Sequence, residues 1–344
     1  MVFFMKQNLI SIIIPLHNGA DTINRAVKSV LNGTFYHDMI EVIIVENGST
    51  DQSFEIAKKL ATENSNIRVY QSDKGTSFAR NLGIEKSKGK WLIFLDADDY
   101  LVESNLNIII ENLITNPTDL CVYNYKKGSK EIELFSEEVE LINDLNPFIV
   151  RFLSEPTKYM TVWGKAFNKH LIDELGLKFN TNLRVSEDSD FYLRFLLAMH
   201  SLTLYPQTLY HYSIDSPSTM RTFSSDKLEG YIVSLDESSK ALENVDDAIR
   251  EAFSLYKLAH FNLIMVREVF HFDNAKSFRE KLREMIRLYK MPMFSEPIQN
   301  LSISDVRNLS LVPLFFLKIH LYHLAALVYI IRVRQNKFKE GRKS

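Results

Sequence analysis

Three carboxylates stand directly after a strongly apolar segment. Residues 91–95 are aromatic, aliphatic or β-branched, and Asp96, Asp98 and Asp99 follow them. A strand buried on both faces has this composition and cannot accommodate carboxylates, so these side chains must lie beyond its carboxyl end. Clustered carboxylates repel one another unless a cation neutralises them, and Mg²⁺ or Mn²⁺ shared with substrate phosphates suits such oxygen ligands. The segment predicts a metal-diphosphate site, with a solvated acidic turn that caps a helix as the alternative.

The elements that could position these acids alternate along the chain. Strand-like apolar stretches lie at 9–15, 41–45, 67–71, 91–95 and 119–125. Patterns typical of amphipathic helices separate the first four of them. This alternation predicts an α/β fold with a parallel, doubly wound sheet. The loops at His17–Asn18, Glu46–Asn47 and Asp96–Asp99 then share one edge of the sheet, the edge at which ligands bind in such folds.

Other common site types receive no support from the sequence. No Gly-x-Gly-x-x-Gly follows the first strand, which argues against a nicotinamide or flavin site, and no Gly-Lys-Ser/Thr phosphate loop is found. Tyr100 stands where phosphatases that use Asp-x-Asp-x-Thr have threonine. A formal net charge of -2 gives no reason to expect nucleic acid as a partner.

A second acidic pair, Glu187 and Asp188, begins a segment with helical periodicity. Residues 188–200 predict a helix with inward-facing aromatic residues, which places both acids at its amino end. Capping of this helix without any chemistry is the alternative. Residues 202–212 predict a strand, and a lone histidine such as His211 near its end is more often structural than a ligand.

Cysteine content and the first residues bear on the compartment. Cys121 is the single cysteine, which excludes an intrachain disulfide and fits a reducing environment. Residues 1–6 do not have the order of charged and apolar residues that a signal peptide needs. We therefore expect the catalytic part to be cytosolic.

Five segments in their order along the chain resemble the family 2 glycosyltransferases, inverting enzymes with the GT-A fold. They are Ser11–Pro15 with His17–Asn18, Glu46–Asp51, Gly75–Ile84, Phe94–Asp99 and Glu187–Asp188. Each is a weak signal, and five in the right order are specific. The resemblance implies a GT-A domain over residues 1–220, a helical extension over 221–307 and an apolar and basic C-terminal segment over 308–344.

The resemblance also implies roles for matched residues. It implies a nucleoside diphosphate sugar as the donor, Mn²⁺ or Mg²⁺ bound at Asp98, and Asp188 as the catalytic base. The donor-nucleotide residues that it implies are Pro15, His17, Asn18, Glu46, Asn47, Asp51, Arg80 and Asp96. The residues expected at the acceptor or the diphosphate are Trp163, Lys165, Glu187 and His211.

The chain departs from the family pattern at one turn. The usual Asp-Asp-Gly-Ser reads Glu46-Asn47-Gly48-Ser49. The amide oxygen of Asn47 can still accept a hydrogen bond from a uracil N3–H, although it has a donor beside it and no charge. Uridine is the expected base, and a weakly active or differently selective donor site stays open.

The expected reaction is an inverting transfer of one sugar from a UDP-sugar to a lipid-linked or surface glycan at the inner face of the cell membrane. An acceptor hydroxyl is a poor nucleophile near neutral pH, so a carboxylate must take its proton. One alternative is a sugar-phosphate nucleotidyltransferase, whose glycine-rich, arginine-containing loop is not found after the first strand. The other is a non-catalytic sugar-binding scaffold, for which Asn47 is the only hint. A homo-oligomer is left open.

The C-terminal segment predicts contact with a membrane surface. Residues 311–331 are mostly apolar and nominally long enough to cross a hydrocarbon core of roughly 30 Å, and a run of Lys and Arg residues follows them. Pro313 and three polar residues within the segment disfavour a span, so we expect a helix that lies at the interface. The aromatic residues expected near the headgroups are Phe315, Phe316, Tyr322 and Tyr329. A hydrophobic helix packed on the catalytic domain or on a partner subunit is the alternative.

Overall fold

The computed structural model describes residues 9–141, 144–214, 223–243, 245–302 and 308–341. Its strands are β1 (Ile10–Leu16), β2 (Ile40–Glu46), β3 (Ile67–Gln71), β4 (Trp91–Phe94), β5 (Tyr100–Leu101), β6 (Leu120–Lys127), β7 (Lys130–Ile132), β8 (Val139–Leu141), β9 (Lys165–Asn168) and β10 (Leu202–Tyr212). Its α-helices are α1 (Ile23–Leu31), α2 (Ser53–Glu63), α3 (Thr76–Lys86), α4 (Leu106–Thr115), α5 (Asn146–Ser154), α6 (Pro156–Tyr159), α7 (Lys169–Glu174), α8 (Glu187–Ala198), α9 (Ser225–Lys240), α10 (Asp247–Ile264), α11 (Phe278–Tyr289), α12 (Pro292–Asn300), α13 (Val312–Lys318) and α14 (Tyr322–Gly341).

One sheet with mixed strand directions forms the core of the first part of the chain. Its order is β3-β2-β1-β4-β9-β6-β10-β5, with β7 paired to β6 and β8 to β10. The long pairings are parallel: β1 with β2 and β4, β2 with β3, and β6 with β10. Strand β1 is buried along its whole length, as its isoleucines predict for a strand covered on both faces. This confirms the predicted α/β fold with a mostly parallel sheet and flanking helices.

Strand β9 is one of four short strands, with β5, β7 and β8, that sequence patterns did not predict. It lies between β4 and β6 and runs antiparallel to both. Only four residues long, it carries too little periodicity to be recognised as a strand by itself. Its insertion brings Lys165, which opens the strand, into the centre of the sheet.

Helix α3 lies close against the centre of the sheet. A Cβ atom at Gly83 would collide with the side chain of Ile13 on β1, so the glycine is what permits this approach. Gly75 precedes the helix with φ of 133°, a conformation that favours glycine. The helix thereby directs Arg80, one turn after its start, towards the edge where β1 and β4 end.

The described residues divide into two compact units. The first is drawn from Met1–Pro147, Met160–Leu183 and Glu187–Ser216, and it contains the sheet. The second is drawn from Phe148–Tyr159, Arg184–Ser186 and Pro217–Ser344, and it is helical. The domain boundaries predicted after residues 220 and 307 lie outside the described residues.

The C-terminal segment is not one continuous helix, in contrast to the sequence-based expectation. Helices α13 and α14 are separated by a short break, in which His320 has φ of 60°. Tyr329, which was expected near lipid headgroups, is buried in the second unit and donates a hydrogen bond of 2.8 Å to Asn262. Among the described residues, no helix combines the length and hydrophobicity needed to cross a membrane.

Candidate active site

Arg80 gathers the two acidic motifs of the sequence into one cluster. Its guanidinium donates from Nη2 to Asp96 at 3.0 Å and from Nη1 to Glu187 at 3.4 Å. The same Nη1 atom also pairs with Asp188. Arg80 is 3% exposed and rests over the ring of Phe179, with 5.2 Å from the guanidinium carbon to the ring centroid. Burial disfavours its charged form, but the three carboxylates outweigh that effect and raise the pKa of Arg80 further.

Asp188 lies in the first turn of α8, as predicted, with its side chain 23% exposed. Burial raises the pKa of its carboxyl to about 7; the contact with Arg80 acts in the opposite direction, while Glu187 and Asp96 add to the rise. A carboxyl group that titrates near neutral pH can accept a proton under ordinary conditions. The arrangement therefore provides a proton acceptor beside the acidic loop that follows β4.

Asp99 is the buried acid that holds the acidic loop after β4 in place. Its carboxylate is buried and accepts hydrogen bonds from the Tyr210 hydroxyl at 2.6 Å and from the Ser213 backbone N–H at 2.7 Å. Burial and the nearby Asp96 raise the pKa of Asp99 to about 8, although both hydrogen bonds oppose the rise. Arg25 completes the support by donating from Nη2 to the Asp98 carbonyl oxygen at 2.5 Å and to Ser213 Oγ at 3.1 Å.

Sequence reasoning assigned no role to Tyr210, Ser213 or Arg25, and it placed Asp99 in the acidic cluster without a role of its own. Asp99 is the third acid of its motif, and its position directly after a buried strand could have indicated that its side chain is buried and supports the loop. The other three lie far from it along the chain, where a single tyrosine, serine or arginine carries no recognisable pattern.

Asp98 is the residue that the sequence assigned to a divalent metal ion. Within the described ranges, no three His, Cys, Asp or Glu side chains are arranged to enclose a metal ion. An ion that takes one or two carboxylates and completes its shell with substrate phosphates and water does not need such an enclosure. The oxygen donors of Asp98 and its neighbour Asp96 are of the type that Mn²⁺ and Mg²⁺ prefer, so the residues present fit such an ion.

The turn after β2 packs against the loop after β1. Asn18 accepts from the Thr50 backbone N–H at 2.8 Å, and Asp51 accepts from the Ala20 backbone N–H at 3.1 Å. Burial, the largest single effect, raises the pKa of Asp51, but the hydrogen bonds from Ser53 and Ala20 together outweigh it and hold the pKa below its usual range. The predicted nucleotide residues His17, Asn18 and Asp51 are thus exposed parts of one loop cluster, and Pro15 lies buried beneath it.

Glu46 and Asn47 are buried in this cluster. Glu46 accepts from Gln71 Nε2 at 2.9 Å and from the Ser49 backbone N–H, and these bonds lower its pKa although burial opposes them. The Asn47 side-chain amide donates to the Leu16 carbonyl at 3.0 Å, and its oxygen accepts from the Gly75 N–H at 3.3 Å. Both side chains thus shape the turn in this structure.

The residues predicted for the acceptor or diphosphate do not lie together. Trp163 stacks on Tyr210 at 4.7 Å between ring centroids, directly behind the acidic loop. His211 stacks on Tyr100 at 4.2 Å, immediately after that loop. Glu187 belongs to the Arg80 cluster, whereas Lys165 is buried within the sheet.

A separate cavity of about 840 Å³ opens at the other edge of the sheet. It lies near the amino ends of β2 and β3, between α1 and α2, and contains none of the predicted site residues. Its buried acid, Glu41, is satisfied by Ser11 at 2.6 Å and by Arg68 at 3.2 Å.

Comparison with solved structures finds the same architecture. The chain is similar to Staphylococcus aureus TarS 1-349 in complex with UDP-GlcNAc, with a TM-score of 0.65, 18% identity, and coverage of 96% of this chain and 92% of that chain. It is also similar to the mannosyltransferase PcManGT from Pyrobaculum calidifontis in complex with GDP-Man and Mn²⁺, with a TM-score of 0.53, 15% identity, and coverage of 94% and 87%. At these identities the likeness establishes the GT-A fold.

Sequence comparison supplies the relatives. The chain is 26% identical to the uncharacterized glycosyltransferase EpsJ of Bacillus subtilis (strain 168), over 81% of this chain and 83% of EpsJ. It is 26% identical to the poly(ribitol-phosphate) beta-N-acetylglucosaminyltransferase TarP of Staphylococcus aureus (strain N315), over 68% of this chain and 72% of TarP. Residues 11–176 match Glycosyl transferase family 2, a region that includes β1, Arg80 and the acidic loop. Residues 11–176 thus form a glycosyl transferase family 2 domain, relatives that align with most of the chain are glycosyltransferases by name, and this chain is a glycosyltransferase.

Proposed function

We propose that this glycosyltransferase moves one sugar, with inversion, from a UDP-sugar to a hydroxyl of a lipid-linked or surface glycan. The observation that carries the proposal is the cluster in which Arg80 joins Asp96 of the donor motif to Asp188 of the later motif. A single displacement needs a proton acceptor close to the donor sugar. The contacts of Arg80 with both Asp96 and Asp188 support such a placement of Asp188 beside the donor site.

Asp188 acts as the general base in this proposal. The acceptor hydroxyl gives its proton to the Asp188 carboxylate, and its oxygen forms a bond to the anomeric carbon. The bond from that carbon to the diphosphate oxygen breaks, and its electron pair leaves with UDP. No enzyme nucleophile takes part, so the configuration inverts. The pKa of Asp188, raised by burial to about 7, suits a base that works near neutral pH.

Asp98 would hold Mn²⁺ or Mg²⁺ on the diphosphate, where the ion would stabilise the charge of the leaving group. Such a role is supported by the carboxylate donors of the loop and by the Mn²⁺ in the mannosyltransferase of similar fold. A UDP-sugar, with N-acetylglucosamine as one candidate sugar, is supported by the UDP-GlcNAc complex of TarS and by the designation of TarP. The GDP-Man complex of PcManGT is the reason to test guanosine donors as well.

The deciding experiment measures nucleotide release from UDP-, GDP- and dTDP-sugars with Mn²⁺, in the wild type and in Asp188→Asn. Turnover with one donor in the wild type and its loss in Asp188→Asn, with donor affinity kept, would support the proposal. Asp173→Asn, at an exposed aspartate of α7, is the matched control and should keep full activity. Undiminished turnover in Asp188→Asn, or a product with retained configuration, would refute the base and the single displacement respectively.

We also propose that the second unit binds an anionic membrane surface through α14. One side of this helix is exposed and apolar, with Leu324, Leu327 and Ile331 at helical spacing, and the exposed Leu321 directly precedes the helix. The opposite side is buried in the second unit: Ala325, Ala326, Tyr329 and Val333. Exposed Arg334 and Lys337 follow the apolar side, and their charge complements anionic headgroups.

Vesicle sedimentation tests this surface with the full chain. We expect binding to vesicles that contain phosphatidylglycerol, weaker binding to pure phosphatidylcholine, and loss of binding in Leu324→Gln/Leu327→Gln. Leu255→Gln, at an exposed leucine of α10, is the control. The lipid assignment would be overturned if the wild-type chain bound neither kind of vesicle. It would also be overturned if light scattering showed that the chain forms dimers through these leucines.

A further inference from the structure

Lys165 is a buried cation without a carboxylate in contact. Its side chain is 2% exposed, and none of the described ion pairs includes it. Its ammonium donates to Thr161 Oγ1 at 3.3 Å and to the Trp163 carbonyl at 3.4 Å, and it lies 4.6 Å from the ring centroid of Tyr192. Burying an ammonium group is costly unless other charges or hydrogen bonds offset the lost hydration. The amine of Lys165 therefore carries its charge mainly below about pH 7, which is the range in which Asp188 also titrates.

The segment that holds Lys165 is tied to the first turn of α8. Ser189 Oγ donates to the Met160 carbonyl at 2.8 Å. Thr161, the next residue, accepts the hydrogen bond from Lys165 and donates to the Trp163 carbonyl at 3.3 Å. Ser189 directly follows Asp188 in the chain, so the contact fixes the helical turn that carries this acid.

Asp188 is also the acid whose charge acts on Lys165. Burial lowers the pKa of Lys165 to about 7, and attraction to Asp188 opposes that fall. The charged groups that face Asp188 come from four elements. Arg80 of α3, Glu187 of α8 and Asp96 of the loop after β4 act on Asp188 directly, and Asp188 in turn acts on Lys165 of β9. Two cations thus balance two neighbouring acids around Asp188, and Lys165 is the cation that does not touch it.

We propose that Lys165 is a positioning residue for Asp188: its buried ammonium favours the carboxylate form, and the Met160–Lys165 segment holds the first turn of α8 in place. The inference rests on the proposed role of Asp188 as the general base. Lys165 itself forms and breaks no bond in the reaction, and it donates no proton to the substrate.

The test is the pH profile of kcat for sugar transfer. In Lys165→Met the pKa of Asp188 should rise, because a nearby cation is lost, so the acidic limb should move to higher pH. A move of one pH unit corresponds to about tenfold lower kcat on that limb. The KM for the donor should stay unchanged, and Lys165→Arg, which keeps a cation, should bring the acidic limb part of the way back to its wild-type position. Lys86→Met, at a partly exposed lysine of α3, is the control and should leave the profile unchanged.

Two further variants keep the outcomes distinct. Ser189→Ala removes the link to Met160 without touching the cation, and it should lower kcat while the donor KM is kept, even if Lys165→Met fails to fold. An acidic limb that stays in place in Lys165→Met, or an unchanged kcat in Ser189→Ala, would overturn the positioning role. If instead the acidic limb persists in Asp188→Asn, the proposed base is wrong and the failure lies there.

Discussion

The hydroxyl of Tyr210 donates a 2.6 Å hydrogen bond to the buried carboxylate of Asp99 and so ties β10 to the acidic loop. The same oxygen accepts from the backbone N–H of Asp96 at 3.3 Å. One side chain thus positions both ends of the loop that carries Asp98. Because Tyr210 and Asp99 are 111 residues apart in the sequence, their hydrogen bond depends on the correct assembly of the sheet.

Tyr210→Phe should loosen the acidic loop. Loss of the Tyr210 hydroxyl leaves the buried Asp99 carboxyl group with one fewer hydrogen-bond donor. This should reduce the free energy of unfolding by about 1–3 kcal/mol. Donor affinity should fall as well. Denaturant unfolding and donor titration measure the two effects, with Tyr212→Phe as the control. Equal stability of the Tyr210 variant and the wild type would show that Asp99 needs no phenol donor.

Asp98→Ala should abolish turnover and metal-dependent binding of UDP while the fold is kept. The side chain lies on a loop, so its removal leaves no cavity in the core. Binding of UDP with and without Mn²⁺, followed by calorimetry, measures this directly. If the variant turned over normally in the presence of EDTA, the metal role of Asp98 would be wrong.

Arg80→Lys should show whether the planar guanidinium is required. Lysine keeps the charge but cannot join Asp96 and Asp188 from one fixed fork. We expect at least a tenfold loss of kcat and a stability loss of about 2 kcal/mol. That value is below the roughly 3–5 kcal/mol of a fully buried pair, because the acids keep partial contact with solvent. Turnover like that of the wild type would mean that charge alone suffices.

The pH dependence of Asp188 should have opposite signs for activity and stability. Its pKa is raised from 3.8 to about 7, so the base is active above that value and kcat falls as the pH is lowered through it. Stability runs the other way: the folded state retains the proton longer than the unfolded state, so stability decreases as the pH rises from about 4 to 7. Asp188→Asn should remove this part of the slope in denaturant unfolding at several pH values, and an unchanged slope would assign the effect to other groups.

Glu268→Gln should stabilise the second unit above neutral pH. Glu268 is buried in the π-helical turn Met265–Val269, and neither carboxylate oxygen has a hydrogen-bond partner among the described residues. Burial raises its pKa to about 7, with Lys227 opposing the rise. The ionised form is therefore the unfavourable one, and stability is lost as the pH rises through that value. Melting temperatures at pH 5 and about pH 8 should differ less in the variant than in the wild type. A variant that is less stable at both pH values would mean that the charge of Glu268 is needed.

The sequence by itself determined the features that depend on contiguous residues. The isoleucines of β1, the apolar stretch before Asp96 and the periodicity that begins at Glu187 each specify a local element, since strand and helix patterns repeat every two to four residues. Their order was enough to predict the α/β sheet and the edge at which the acids meet. The resemblance to family 2 glycosyltransferases predicted roles for Arg80, Asp96 and Asp188 in one site, and the structure brings these three side chains together.

Only the tertiary structure decided which distant groups touch. Arg80 and Asp188 are 108 residues apart, and nothing local to either predicts their ion pair. Likewise, Tyr329 looks like a membrane aromatic in sequence, yet its side chain is buried and bonds to Asn262, 67 residues earlier. The short strand β9 takes its place from pairing with β4 and β6, which brings the buried ammonium of Lys165 near Asp188. The physical reason is that such contacts arise from packing between elements, whereas a pattern of neighbouring residues specifies only the elements themselves.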